Sequence, residues 1–243
     1  TFRFVEVRAG ERWVFEANDA FPVALGGRPH VDRVVWRIIP DGTAQIAELR
    51  TSAAHIALGA RVEQVLETAE LPGFTAIERA SRRFAFIGWN HRRPPLDDAR
   101  VRRALMHAID RPSMIALLRG GYGTPANGPI GAFHWSYDAA LAPLAFDRDA
   151  ARALLAAAGV ADRSGDGFLE TPAGRPFVIE LKVPAASGFN RDMAELVRSD
   201  LAAIGVRVNV RPTDGAVLVA DITSARRDFD AVLMGWESDL RLN

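Results

Sequence analysis

Residues 90–111 read NHRRPPLDDARVRRALMHAIDR, and this stretch is the most informative part of the sequence. Pro94 and Pro95 force an extended backbone, which favours the start of a new element directly after them. Asp97 or Asp98 can then accept hydrogen bonds from the free N–H groups of a helix start. Apolar residues recur at helical spacing after this point, at Val101, Leu105, Ala108 and Ile109. The pattern predicts an amphipathic helix over about residues 98–109.

A second helix is predicted directly after the first. Pro112 fits its first turn, and the pair Gly120 and Gly121 ends it. Two helices joined by a short turn have the outline of a DNA-binding motif, for which Arg100, Arg102 and Arg103 would supply a basic surface. The chain, however, has 30 basic and 30 acidic side chains and a formal net charge of zero. A solvated helix face is therefore the favoured interpretation, and nucleic acid is not an expected partner.

The residues that precede this stretch favour short strands. Residues 2–8 and 12–17 are β-prone and flank a glycine turn, which predicts a β-hairpin. Residues 31–39 and 84–90 predict two further strands. Asp41 is placed to begin a helix that ends near Leu49.

The residues that follow predict an alternation of helices and strands. Asp147 is expected to begin a helix that Gly159 closes, and a turn then leads into a hairpin whose second strand is residues 177–183. A helix that starts at Asn190 or Asp192 leads into a strand at residues 206–210. Strand, helix and strand with short joints form a βαβ unit, which requires parallel strands. The last predicted strand runs from residue 230 to 236.

Several classes of function are disfavoured by composition. The chain has no cysteine, which excludes disulfides, thiolate catalysis and metal sites built on cysteine. Its five histidines are scattered, and no Gly-x-Ser-x-Gly sequence of a hydrolase nucleophile is present. No apolar run approaches the roughly 20 residues that cross a bilayer, so no direct membrane insertion is expected.

One segment partly matches a calcium-binding loop. Asp162, Ser164, Asp166 and Gly167 occupy the first, third, fifth and sixth places of such a loop. The twelfth place requires a bidentate glutamate, and Ala173 stands there. The favoured interpretation is a hairpin turn, with no bound metal and no cofactor.

Three side chains are candidates for a ligand site. Trp236 ends a predicted strand, Trp135 lies in the long irregular stretch of residues 124–143, and both are suited to form ligand walls. Trp89 ends another predicted strand, and for each tryptophan core packing is an equal alternative. Asp239 follows Trp236 by three residues and could meet a cationic group. No catalytic residue is predicted.

Residues 90–111 resemble the signature of family 5 solute-binding proteins, the dipeptide and oligopeptide binders. In that family an Asn, a Pro pair, an Asp and Val-Arg-x-Ala precede Ala-Ile-Asp-Arg. Other segments agree in the same order along nearly the whole chain. They are ANDAF, VDRVVWRIIPD, GGYGTPANGPI, FDRDAARALLAAAG, SGDGFLE, LAAIGVRVNV and FDAVLMGWESD.

The resemblance implies an α/β fold of the periplasmic-binding-protein type, similar to type II, with two lobes and mixed sheets, of which this chain is an incomplete part. It places residues 1–88 in a segment of the first lobe and residues 89–243 in the second lobe, truncated at its end. It also places Asp239 where peptide-binding members hold the free amino group of the peptide. Leu233 stands where some oligopeptide binders carry arginine, so the ligand class stays open between peptide, sugar and metal complex.

The function that the resemblance implies is solute capture for an ABC importer, without catalysis. The expected partners are a peptide or small-molecule ligand and the permease subunits. The expected location is the periplasm or another extracytoplasmic space, and a lipid anchor on the full-length protein would fit it. The alternative is the ligand-sensing domain of a transcriptional regulator. A peptide hydrolase is a third and less favoured hypothesis.

Overall fold

The computed structural model describes residues 1–59, 62–69, 72–78, 82–132 and 134–237. The chain divides into two compact units, Thr1–Ile77 and Glu78–Asn243. The predicted lobe boundary between residues 88 and 89 lies later, inside a strand of the second unit. The assignment of the units to lobes stays a prediction. Among the described residues, no helix has both the length and the apolar character needed to cross a membrane.

The described residues of the first unit form an antiparallel sheet, two α-helices and a short 3-10 helix at Val23–Leu25. Its elements are β1 (Phe2–Arg8), β2 (Arg12–Ala17), β3 (Arg33–Arg37), α1 (Gly42–Arg50) and α2 (Val62–Ala69). The strands lie in the order β1-β2-β3, and Gly10 adopts a φ of 76° in the turn between the first two. The predicted hairpin is therefore confirmed. The carboxylate of Asp41 accepts a hydrogen bond from the backbone N–H of Ala44 at 2.8 Å, which begins α1 as expected.

The second unit is built on a mixed sheet. Its elements are β4 (Arg83–Trp89), α3 (Ala99–Ala108), α4 (Arg111–Arg119), α5 (Arg148–Ala157), β5 (Val178–Pro184), α6 (Gly188–Ala202), β6 (Arg207–Thr213), α7 (Gly215–Thr223) and β7 (Ala231–Glu237). The strand order is β4-β7-β5-β6. β5 is parallel to β6 and β7, whereas β4 is antiparallel to β7. The parallel βαβ unit predicted from sequence is confirmed.

The helix predicted within residues 90–111, called the Pro-Pro stretch below, forms as expected. The side chain of Asp98 accepts a hydrogen bond from the N–H of Arg100 at 2.7 Å, and the apolar face of α3 is fully buried. Arg100 also donates to the carbonyl of Ala157 at 2.6 Å, which joins α3 to the end of α5. Arg102 donates to two carbonyls of the loop before α3, each at 2.8 Å. Arg100 and Arg102 thus donate hydrogen bonds to backbone carbonyls of the second unit.

Two sequence-based assignments in the second unit need correction, and one helix was missed. α6 begins earlier than Asn190 or Asp192, because the hydroxyl of Ser187 accepts the hydrogen bond that caps the helix. The hairpin before β5 is reduced to isolated bridges at Glu170, because the ladder partners of β5 are the parallel strands β6 and β7. α7 was not predicted, since its β-branched run around Val217 also suits a strand.

The main core of the second unit lies between one face of the sheet and helices α3, α5 and α6. Alternate residues of β5 point into this core, namely Ile179, Leu181 and Val183. The opposite face has a smaller cluster of Leu218, Phe229 and Val232, to which α7 contributes. The sheet is therefore covered on both faces where β5 and β7 run side by side.

Replacement of Leu181 by alanine tests this core. Leu181 is 1% exposed, and L181A should lower the free energy of unfolding by about 2–5 kcal/mol, because it removes buried methyl groups and leaves a cavity. Val178 lies on the same strand and is 39% exposed, so V178A is a matched control that should cost well under that amount. Urea unfolding curves measure both. Equal losses for the two variants would contradict the orientation of β5.

Candidate functional site

The antiparallel ladder of β4 and β7 positions the candidate site. It pairs residues from Arg83 with Glu237 at one end to Trp89 with Ala231 at the other. Because side chains alternate between the two faces of a sheet, every second pair shares a face. One face near the end of β7 is consequently apolar and aromatic. Its members are Phe84, Phe86, Met234 and Trp236.

These side chains share one face of the ladder by register and are called the aromatic patch below. Phe84 is the cross-strand partner of Trp236, and the ring centroids of Phe84 and Phe86 are 6.0 Å apart at a tilt of 46°. Both phenylalanines are half-buried, whereas Trp236 is 58% exposed. An indole this exposed can stack on an apolar group or on a cation.

The end of β7 is held by charge on the opposite face. The carboxylate of Glu237 accepts a hydrogen bond from Arg83 at 2.9 Å and one from Arg82 at 3.4 Å. These contacts are exposed and add little stability, and the backbone ladder with β4 holds the strand end in place.

The other end of the ladder is anchored by Asn90, whose side chain is buried. Its Nδ2 donates to the carbonyls of Arg227 at 2.9 Å and Phe229 at 2.7 Å, and its Oδ1 accepts from the N–H of Arg92 at 3.1 Å. The side-chain nitrogen of Asn90 thus donates twice to the loop before β7, and its side-chain oxygen is engaged as well. The first residue of the Pro-Pro stretch is therefore structural and joins β4 to β7.

Arg93 continues the same junction. It donates to Asp228 at 2.8 Å and to Asp230 at 3.1 Å, and the second oxygen of Asp230 accepts from the N–H of Glu180 at 3.0 Å. Asp230 consequently links the Pro-Pro stretch to β5 as well as to β7.

The predicted tryptophans have different environments. Trp236 lies in the aromatic patch, whereas Trp135 is 84% exposed and stacks loosely on His134, with ring centroids 5.4 Å apart. Trp89 packs against the main core. Asp239 lies outside the described residues. Trp236, Trp135 and Asp239 all stay predictions as ligand-binding residues.

Phe84 and Phe86 were not identified from the sequence. The signal for them was the alternation in FAFIGWN, which places both rings on one face of a strand. Two depressions of about 370 and 340 Å³ lie elsewhere in the second unit, and neither Trp135 nor Trp236 lines them.

The acidic turn before β5 uses its carboxylates on its own backbone. Asp162 accepts hydrogen bonds from the N–H groups of Gly165 at 2.7 Å and Gly167 at 2.9 Å. A hydrogen bond from the N–H of Phe168 lowers the pKa of Asp166, and Arg207 lowers it further. Oxygen atoms of Asp162, Asp166 and Glu170 lie within 4.8 Å of one another.

Glu170 closes the same turn from its other end. It accepts hydrogen bonds from the N–H of Arg163 at 2.7 Å and from the hydroxyl of Ser164 at 2.8 Å, and these contacts lower its pKa in that order of importance. The carboxylates of the turn are thus engaged by its own backbone and hydroxyl groups, and a turn without metal stays a prediction.

A family model described as "Bacterial extracellular solute-binding proteins, family 5 Middle" matches residues 1–241. The chain belongs to this family. Members of the family are solute-binding proteins and not enzymes, and the resemblance stated from the sequence is confirmed. The two-sheet α/β fold agrees with the periplasmic binding proteins that it matches.

Two similar relatives are peptide-binding proteins by name. The oligopeptide-binding protein AppA of Bacillus subtilis is 30% identical over 237 residues, which are 97% of this chain and 43% of AppA. Di/tripeptide-binding protein 2 of Pseudomonas aeruginosa is 30% identical over 241 residues, which are 98% of this chain and 42% of that protein. The chain therefore spans less than half the length of these relatives.

Solved structures agree with the fold. The structure of AppA from Bacillus subtilis with a nonapeptide gives a TM-score of 0.69 at 29% identity, covering 97% of this chain and 46% of AppA. NikA from Brucella suis, solved with Fe(III)-EDTA, gives a TM-score of 0.80 at 22% identity and covers 99% of this chain and 48% of NikA. The second match establishes similarity of fold alone.

Calcium should leave the stability of the protein unchanged. Ala173 supplies no carboxylate, and backbone N–H groups already occupy Asp162, so millimolar calcium should not raise Tm. Differential scanning fluorimetry with calcium, with magnesium and with a chelator measures this. A rise of several degrees with calcium alone would contradict the prediction, because binding to the folded state must stabilise it.

The turn should lose stability at low pH. Because folding lowers the pKa of Glu170, its contribution is present above the unfolded pKa of about 4.3 and is lost as pH falls through the lower folded value. The difference in unfolding free energy between the parent and E170Q should therefore shrink from pH 6 towards pH 3. The slope should correspond to the titration of about one group. Urea unfolding at a series of pH values measures it, and a constant difference would contradict it.

Proposed function

We propose that the full-length protein containing this chain is the extracytoplasmic solute-binding component of an ABC importer and captures a peptide or a similar amine-bearing solute. The observation that carries this proposal is the exposed aromatic patch at the end of β7, with the carboxylate of Asp239 three residues after Trp236. The names of the peptide-binding relatives support the ligand class.

The proposed chemistry is capture of an ammonium group by a carboxylate beside an aromatic wall. A charge-assisted hydrogen bond between Asp239 and the free amine of a peptide is stronger than a neutral one. The exposed indole of Trp236 would pack against the adjacent part of the ligand and exclude water from the ion pair. Trp135, which is 84% exposed, is proposed as a second wall that ligand would cover.

The proposed mechanism is reversible closure of two lobes around the ligand. Residues 1–88 would contribute to the first lobe and residues 89–243 to the second, and the remainder of the full-length protein would complete the cleft. The loaded protein would then dock on permease subunits, and a separate ATPase would drive import. The periplasm or the outer face of the membrane is the proposed location, with a lipid anchor as one means of attachment. Neither relative described above is named as a transcriptional regulator.

Replacement of Asp239 tests the proposal. In the full-length protein, D239A should weaken peptide binding by about 2–4 kcal/mol, because a buried ammonium loses its partner, and D239N should lose less. Isothermal titration calorimetry with a panel of di-, tri- and longer peptides measures the affinities, and mass spectrometry of retained ligand identifies the natural one.

Glu237 provides the matched control for this experiment. Its carboxylate is two residues from Asp239 but is paired with Arg83, so E237Q should bind peptide like the parent protein. Unfolding curves for all variants verify that the fold is retained. Equal affinities for the parent and D239A would mean that the amine is held elsewhere, and the proposal for Asp239 would be wrong.

A further inference from the structure

The depression of about 370 Å³ lies at the end of the second unit's sheet where β5 and β7 begin and β4 ends. Three segments line it, each next to one of those strands. They are residues 92–95 after β4, Thr171 with residues 175–178 at the start of β5, and Asp230 before β7. Trp236 lies at the other end of β7, so this depression is separate from the aromatic patch.

The lining of the depression is basic. Its charged members are Arg92, Arg93, Arg175 and Asp230. Both carboxylate oxygens of Asp230 are engaged, one by Arg93 at 3.1 Å and the other by the N–H of Glu180 at 3.0 Å. Asp228, from outside the lining, pairs with the same Arg93 at 2.8 Å. The lining therefore has two further arginines whose charge no carboxylate in it balances.

These two arginines have N–H groups to spare. The guanidinium of Arg175 makes no hydrogen bond or ion pair with the described residues. The guanidinium of Arg92 donates one hydrogen bond, to the carbonyl of Ala225 at 3.3 Å. Each planar guanidinium has five N–H donors in a fixed fork, so most of their donors are available to a ligand.

A buried hydroxyl adds a neutral donor to the same site. Thr171 is 8% exposed, and its hydroxyl accepts a hydrogen bond from the N–H of Arg175 at 3.3 Å but donates to no described residue. Buried hydroxyl groups ordinarily use their hydrogen, so this one indicates an acceptor that the described chain does not supply. The N–H of Thr171 also donates to the carbonyl of Arg175 at 2.7 Å, which fixes the turn that presents both side chains.

The walls around these donors are rigid. Pro94, Pro95 and Pro176 line the depression, and proline fixes its own φ. Phe177 lines it as well and is 2% exposed, so this part of the wall is anchored in the main core. Donors on a fixed backbone lose little entropy when a ligand binds.

We propose that this depression binds a phosphate group, carried by a soluble phosphate compound or by a lipid headgroup. The guanidinium fork matches the oxygen atoms of phosphate, and a phosphate group with up to about two negative charges matches two arginines without carboxylate partners. The hydroxyl of Thr171 would donate to a third oxygen. This site is independent of the peptide capture proposed for Asp239.

Replacement of Arg175 by glutamine tests the proposal in the full-length protein. Sodium phosphate and sodium pyrophosphate should raise Tm above its value in sodium chloride at equal ionic strength, because binding stabilises the folded state. The apparent affinity of R175Q for both should be at least about tenfold weaker, because charge-assisted hydrogen bonds are lost. The side chain of Arg175 has no partner among the described residues, so R175Q should fold like the parent.

Arg103 provides the matched control. It is an exposed arginine of α3 outside the depression, and it also has no hydrogen bond or ion pair with the described residues. R103Q removes the same charge and should bind both phosphate compounds like the parent. Equal losses in R175Q and R103Q would overturn the proposal, since they would indicate general attraction between charges.

Vesicles distinguish the two sources of the phosphate group. Protein expressed without any lipid anchor is sedimented with vesicles of phosphatidylcholine, alone or mixed with phosphatidylglycerol. Binding to the mixed vesicles that R175Q loses, without a response to the free compounds, supports a headgroup, and the reverse supports a soluble ligand. No response to either probe would overturn the proposal. Peptide affinity should be equal in R175Q and the parent, so failure here leaves the proposal for Asp239 standing.

Discussion

The hydrogen-bonded junction between Asn90 and the loop before β7 is the constraint on which the second unit depends. The buried amide of Asn90 fixes two carbonyls of that loop, and Arg93 pairs with Asp228 and Asp230 beside it. A buried amide that lost these partners would cost the desolvation of every group left unpaired. The junction sets the start of β7, and the register of β4 and β7 then determines which side chains share a face at the far end. The position of Trp236 beside Phe84 is thus a consequence of contacts made at the opposite end of the ladder.

The two units differ in how they satisfy their apolar residues. The second unit has a continuous core with helices on one side and α7 on the other. The first unit has the alternating pattern of a half-buried sheet but few buried apolar side chains among its described residues. The first unit thus leaves large apolar side chains exposed among its described residues, whereas the second unit has a core of its own.

Local signals made most of the fold predictable. The helix caps at Asp41, Asp98 and Asp147 could be identified from the sequence because a cap is a local contact. Each aspartate accepts a hydrogen bond from an N–H group only two or three residues further along the chain. The parallel pairing of β5 and β6 followed from the short joints around α6. The hairpin before β5 was wrong because the competing partner, β7, lies far along the chain. The aromatic patch was missed for the same reason. Phe84 and Phe86 alternate along β4, but only the folded structure places Trp236 opposite Phe84.

The central position of β7 has a consequence for synthesis of the protein. β7 lies between β4 and β5, yet Arg83 and its partner Glu237 are separated by 154 residues. During translation β4 and β5 emerge long before the strand that joins them, so each presents an unpaired edge until Ala231–Glu237 has left the ribosome. Closure of this sheet is a late and non-local event, which slows folding and extends the period in which the nascent chain needs protection from aggregation.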